Sequence, residues 1–200
     1  ICYRRGLDMQ LFLVMTTAYT HQQGGLTLVE ALTALAILSI LAAIALPQFR
    51  ELHERWQVTQ AVRAMESSLM LARSEAIRRG GGIGMRKFGN EPGGCQNAGT
   101  NQEWGCGWFI YEDVNGNGSW NKTQDRILHE LRLTGSVNVI HNSGGVNIKF
   151  DRYGKASGLN AKGFKFLPER TGTQSSYAQT LCMSSGGRIR IIKDYSDCKK

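Results

Sequence analysis

The sequence predicts an α+β fold: one long N-terminal helix, its first half transmembrane, packed on an antiparallel β-sheet domain. Three observations predict it. A nearly unbroken apolar run covers Leu26–Leu46. A stripe of apolar residues then steps by four and three through Val58, Val62, Met65, Leu69, Ala72 and Ala76. Beyond Gly82 the period shortens to alternation, in short stretches separated by Gly, Asn and Asp.

Residues 1–25 are polar or mixed and include Arg4 and Arg5. They are expected to form a leader that is removed, together with Cys2. Ile1 stands where Met is usual, and Met9 and Met15 are candidate starts. A start at Met15 leaves the leader Met15–Gly25.

The apolar run at 26–47 is the expected transmembrane helix. At 1.5 Å per residue it reaches about 30 Å, the thickness of the bilayer hydrocarbon. It is longer than a secretory signal core and lacks that signal's small-residue cleavage site. Positive charge ahead of it predicts the N-terminus inside and the bulk of the chain outside. Glu30 interrupts the run. A carboxylate at this depth either snorkels to the interface or pairs with an amino group at Leu26, on its own chain or a neighbour's. Pro47 closes the run and is expected to bend or loosen the helix.

Residues 48–82 read as an amphipathic continuation. Phe49, Leu52 and Trp56 are expected to extend the buried stripe backwards, and Gly80-Gly81-Gly82 to end the helix. Residues 83–200 read as a globular β-rich domain. Strands are expected over 107–113, 126–133, 136–141, 146–151, 163–167, 178–183 and 188–192.

The bulk properties narrow the function. At 200 residues, 42% hydrophobic and 20% charged, the chain is no disordered tail. A net charge of +8 and a pI near 9.4 suit polyanionic partners, nucleic acid or an anionic membrane, and equally a solvated basic surface with no specific partner. Past the leader stand Cys95, Cys106, Cys182 and Cys198. Four cysteines allow three pairings, and local spacing favours Cys95 with Cys106 and Cys182 with Cys198. Such bridges belong to an oxidising compartment. No CxxC pair supports zinc, and no metal or other cofactor is expected.

Gly24-Gly25-Leu26-Thr27-Leu28-Val29-Glu30, followed by an apolar helix, resembles the class III signal of type IV pilins and pseudopilins. The resemblance implies cleavage after Gly25 by an inner-membrane prepilin peptidase and N-methylation of Leu26, where Phe is usual. Glu30 falls on the family's acidic fifth mature position, and Pro47 on its helix-loosening proline. Leu71–Arg79 (LARSEAIRR) and Gly107–Gly118 (GWFIYEDVNGNG), with Arg126-Ile127-Leu128 after them, are similar to signatures of GspH/FimT minor pilins. Gly187-Arg188-Ile189-Arg190 resembles the GRxR motif of FimT-type pilins that bind DNA in natural transformation.

That resemblance implies other pilin subunits and DNA as partners. It also implies an inner-membrane anchor with a periplasmic domain that becomes extracellular on assembly. The rival is a GspH-like pseudopilin of a type II secretion system, purely structural.

Arg188 and Arg190 suit DNA chemically. Residues i and i+2 of a strand share a face, roughly 6–7 Å apart, a spacing similar to successive phosphates. Guanidinium forks match phosphate oxygens. Gly186 and Gly187 are expected to admit a backbone and offer N–H groups, with Lys193, Lys199 and Lys200 adding charge. Solvated arginines on an exposed strand are the alternative. Arg78, Arg79, Arg86 and Lys87 form a second basic group that either widens the patch or is a solvated turn.

Asp113–Gly118 resembles the start of an EF-hand loop, but its twelfth position is Gln124, so a hairpin turn is expected. His53, His129 and His141 are scattered and lack a nucleophile partner. Ser184–Gly187 is no nucleophile elbow, and Gly80–Gly84 lacks a phosphate-loop Lys-Ser/Thr. An enzyme is not expected.

Overall fold

The computed structural model describes residues 27–156, 162–184 and 186–198. It divides at Ile44/Ala45 into two compact units.

Helix α1 runs Leu28–Arg79 and crosses that division. Thr27 caps it: the Glu30 N–H donates to Thr27 Oγ1 at 3.2 Å, half of a Thr-x-x-Glu capping box that the sequence carries openly. Leu28–Ala45 has a mean hydropathy of 2.4 and none of it is buried, so it is long and apolar enough to cross a membrane. The helix continues through Pro47, the residue expected to bend or loosen it. A proline removes one helical hydrogen bond, and the turns on either side suffice to keep the helix.

In the second unit the stripe Val58, Val62, Met65, Leu69, Ala72 and Ala76 is buried, each residue at most 1% exposed. Its backward extension is corrected: Phe49, Leu52 and Trp56 are 66%, 60% and 57% exposed. At about 100° per residue, Trp56 lies roughly 160° around the helix from Val58. The true continuation is polar. Glu54 accepts from Arg170 Nε (3.0 Å) and Thr171 Oγ1 (3.1 Å), and Glu51 accepts from the Tyr177 hydroxyl (3.3 Å). At the C-terminus Gly80 and Gly81 donate back to Ile77 and Ala76, closing the helix as a Schellman turn.

The described chain forms two four-stranded antiparallel sheets. One has the order β3-β2-β1-β5, from β1 (Ile83–Lys87), β2 (Gly107–Glu112), β3 (Arg126–Arg132) and β5 (Asn147–Phe150). The other has the order β4-β6-β7-β8, from β4 (Val137–His141), β6 (Lys162–Pro168), β7 (Gln179–Met183) and β8 (Ile189–Ile192). Seven strands match expected stretches. Strand β1, central in its sheet, was not expected, because a glycine interrupts its short apolar pattern. That glycine is required: a Cβ on Gly84 would overlap the Tyr111 ring, which covers it from the neighbouring strand. The helix stripe and both sheets share one core that includes Trp104, Trp108, Ile110, Phe164, Phe166 and Leu181.

An ion-pair chain joins the two signature stretches. Glu75 receives Arg78 (2.5 Å) and Arg79 (2.8 Å); Arg79 also meets Glu112 (2.7 Å), which meets Arg126 (2.9 Å). The hydrogen bonds from Arg78 and then Arg79 bring the Glu75 carboxyl down to about 2. Its stabilising contribution is therefore present above 4.5, its unfolded value, and lost as pH falls towards 2. In thermal melts Glu75→Gln should be less stable than the parent at pH 6. The gap should close as the pH is lowered from 4.5 to 2.

Candidate nucleic-acid interface

Among the described residues strand β8 is an edge strand, paired only with β7, with Cys182 opposite Arg190 and Met183 opposite Ile189. Ile189 and Ile191 pack on the core, and Arg188 and Arg190 are exposed. The expected alternation thus holds, with one correction. Arg188 stands just outside the strand, although the Ser184 N–H still donates to its carbonyl (2.9 Å) and carries the ladder one step further.

The connecting hairpin requires Gly187, whose φ is +84°. Its N–H donates to the Ser184 carbonyl (2.8 Å), a turn followed by a left-handed residue. The expected free N–H at Gly187 is therefore already engaged, and the Arg188 N–H donates to Ser184 Oγ (3.1 Å). Gly187 has a second reason to be glycine. A Cβ there would overlap the guanidinium of Arg73 from α1.

Arg73 was missed in the sequence, where it lay inside a signature attributed to the helix end. Its place next to buried Ala72, at the margin of the stripe, is the signal that could have found it. Among the described residues, no carboxylate lies within 4.0 Å of Arg73, Arg188, Arg190 or Lys193. Arg63, Arg78, Arg79, Arg126, Arg132, Lys165 and Arg170 all have carboxylate partners. Cations without carboxylates keep their charge available to an outside anion. Lys199 and Lys200 lie outside the described residues.

Both favoured disulfides are present, Cys95–Cys106 and Cys182–Cys198. The second ties the C-terminal tail onto the outer face of its sheet. There Thr180 Oγ1 donates to the Asp194 carbonyl (2.9 Å), and Lys165 meets Asp197 (2.7 Å) and the Tyr195 ring (4.0 Å).

The second basic group does not form a free patch. Arg78 and Arg79 are held by Glu75 and Glu112. Lys87 is buried, and its ammonium donates to the carbonyls of Ala98 (2.7 Å), Glu103 (2.7 Å) and Thr100. Asp113–Gly118 lies in the β2–β3 loop, longer than the expected turn, with Asp113 Oδ2 accepting from the Gly118 N–H (2.5 Å). His141 is buried and stacked on Phe164. Among the described residues, no group of three His, Cys, Asp or Glu is placed to hold a metal.

At the other end of the chain, Gly25 and Leu26 lie outside the described residues. Glu30 is exposed in the first turn of α1. An acidic first turn favours the helix dipole, a role it has besides any contact with an amino group.

An apolar N-terminal helix continuing into an α+β domain, behind a methylation-type junction, defines the pilin-like class. A model described as "Prokaryotic N-terminal methylation motif" matches residues 20–46, and "Type II transport protein GspH" matches residues 61–187. The chain belongs to this GspH family, which places it among minor type IV pilins and pseudopilins. It is similar to "Pilin-like protein PilA1" of Thermus thermophilus, at 31% identity over 134 residues, 62% of this chain and 80% of that protein. It is also similar to a "Fimbrial protein" of Pseudomonas aeruginosa, at 47% identity over 58 residues. That match takes in 29% of this chain and 37% of the fimbrial protein's length. The crystal structure of the Pseudomonas aeruginosa type IV minor pilin FimU aligns with a TM-score of 0.53 and 20% identity. It covers 70% of this chain and 90% of that one, a likeness of fold.

Proposed function

We propose that this minor pilin assembles into a type IV pilus and binds extracellular DNA non-specifically for uptake in natural transformation. Prepilin peptidase cleaves it after Gly25, and Leu26 becomes the methylated N-terminus. The helix anchors it in the inner membrane with its domain in the periplasm, until assembly moves it outside. Two disulfides support that oxidising location. The exposed Phe49, Leu52 and Trp56 offer neighbouring subunits an apolar helix face.

One observation carries the DNA reading: Arg188 and Arg190 are exposed on an edge strand and have no carboxylate partner, while six of the eleven other described arginines have one. With no base-reading helix at the site, contacts to phosphate give affinity without sequence preference. The family's type II transport description favours the rival reading, a purely structural pseudopilin.

A gel shift of the full chain in non-ionic detergent separates the two. Arg188→Ala/Arg190→Ala should weaken binding to any duplex by about tenfold or more and lower the salt slope by about 1.8. Unchanged binding would leave only the structural role.

A further inference from the structure

We propose that the DNA-binding surface does not end at Arg190 but continues along the groove between α1 and β8, which holds one sugar–phosphate strand of the same DNA. This rests on the DNA reading above and adds the path that the ligand takes.

The groove follows from topology. Strand β8 is the edge of its sheet and runs antiparallel to α1 beside it. Gly187 and Ile189 face Arg73 and Ile77 at one end, while Ile191 and Lys193 face Arg55 and Thr59 at the other. The two cavities follow one another along α1 and β8, and among the described residues no aspartate or glutamate lines either of them; Glu66, on the helix between them, is paired with Arg63. Arg55, Arg73 and Lys193 mark the groove's length, and none has a carboxylate within 4.0 Å among the described residues. Arg63 also lines the groove but is paired with Glu66.

Length fits as well as charge. Arg55 and Arg73 are about 27 Å apart along the helix at 1.5 Å per residue. At the spacing of roughly 6–7 Å between successive phosphates along a strand, the groove spans about four to five. The Arg188–Arg190 pair alone spans about two. Ile189 and Ile191 seat β8 in the core, so the groove wall is set before any ligand arrives.

The test measures fluorescence anisotropy of a labelled DNA duplex with the full chain in non-ionic detergent, across a salt titration. Arg55→Gln/Arg73→Gln should weaken binding about tenfold and lower the salt slope by about 1.8. Lys122→Gln/Lys149→Gln removes the same charge from exposed positions outside the groove and should do neither. Because Arg73 packs on Gly187, Arg55→Gln alone should lower the slope by about 0.9, and Arg73→Lys should retain parental binding. If Arg55→Gln/Arg73→Gln matches the Lys122/Lys149 control while Arg188→Ala/Arg190→Ala weakens binding, the groove is overturned and the motif stands. If Arg188→Ala/Arg190→Ala leaves binding unchanged, the DNA reading at the motif fails instead.

Discussion

Replacing Lys87 by Met is expected to lower stability by about 2–4 kcal/mol, although it removes a buried charge. The side chain ends β1 at 8% exposure, and its ammonium is ringed by the carbonyls of Ala98, Thr100 and Glu103. Burial pushes its titration down from the ordinary lysine value. That desolvation is the cost of the arrangement, and Met relieves it. Met also leaves the Ala98 and Glu103 carbonyls without their donor, each costing about 1–3 kcal/mol if water does not replace it, while the Thr100 carbonyl still accepts from the Glu103 N–H (3.2 Å). The loss outweighs the relief. Thermal unfolding should show a fall of about 5–15 °C. Amide exchange should accelerate first in the loop that the ammonium gathers, residues 98–103. Lys87→Arg should not restore it, since a planar fork does not reproduce three donors converging from one nitrogen. A melt within about 2 °C of the parent would mean that water satisfies those carbonyls without the lysine.

Lys87 also shows where the sequence misleads. In the string it stands beside Arg86 and reads as surface charge, because nothing local reveals that a loop returns over it. The helix was legible because its information is local: the stripe from Val58 to Ala76 has a strict period and is buried as expected. The backward extension through Trp56 failed on angle alone, which a count of spacings from Val58 reveals. Strand β1 was hidden because Gly84 breaks its pattern for the sake of Tyr111, a partner far along the chain. The candidate site divides in the same way. Gly187-Arg188-Ile189-Arg190 is a local pattern and stood out. Arg73 joins it only through the fold, by lying against Gly187 from the helix. The free N–H expected of Gly187 was wrong for a related reason: the glycine serves a left-handed turn, and its N–H closes that turn.

Replacing Cys182 and Cys198 together by Ser is expected to separate stability from binding. The bridge closes a sequence separation of 16, and for a loop of this length the unfolded chain gains about 3 kcal/mol when it is released. Melting should fall by about 6–12 °C. What remains on the tail is the Thr180–Asp194 hydrogen bond, the Lys165–Asp197 pair with Asp197 78% exposed, the Asn142 Nδ2 bond to Asp197 (3.4 Å), and the Lys165–Tyr195 contact. Exposed pairs of this kind contribute about 0–1 kcal/mol, so residues 193–198 should lose protection from amide exchange before the sheet does. Strand β8 is held differently. Its ladder to β7 runs from Thr180–Ile192 to Met183–Ile189, and Ile189 and Ile191 are seated in the core. Neither support involves the sulfurs. Arg188 and Arg190 should therefore keep their places, and DNA affinity should change by no more than about twofold, since of the described basic residues at the site only Lys193 is loosened. If affinity instead falls as far as in Arg188→Ala/Arg190→Ala, the bridge, not the ladder, orders the arginine pair.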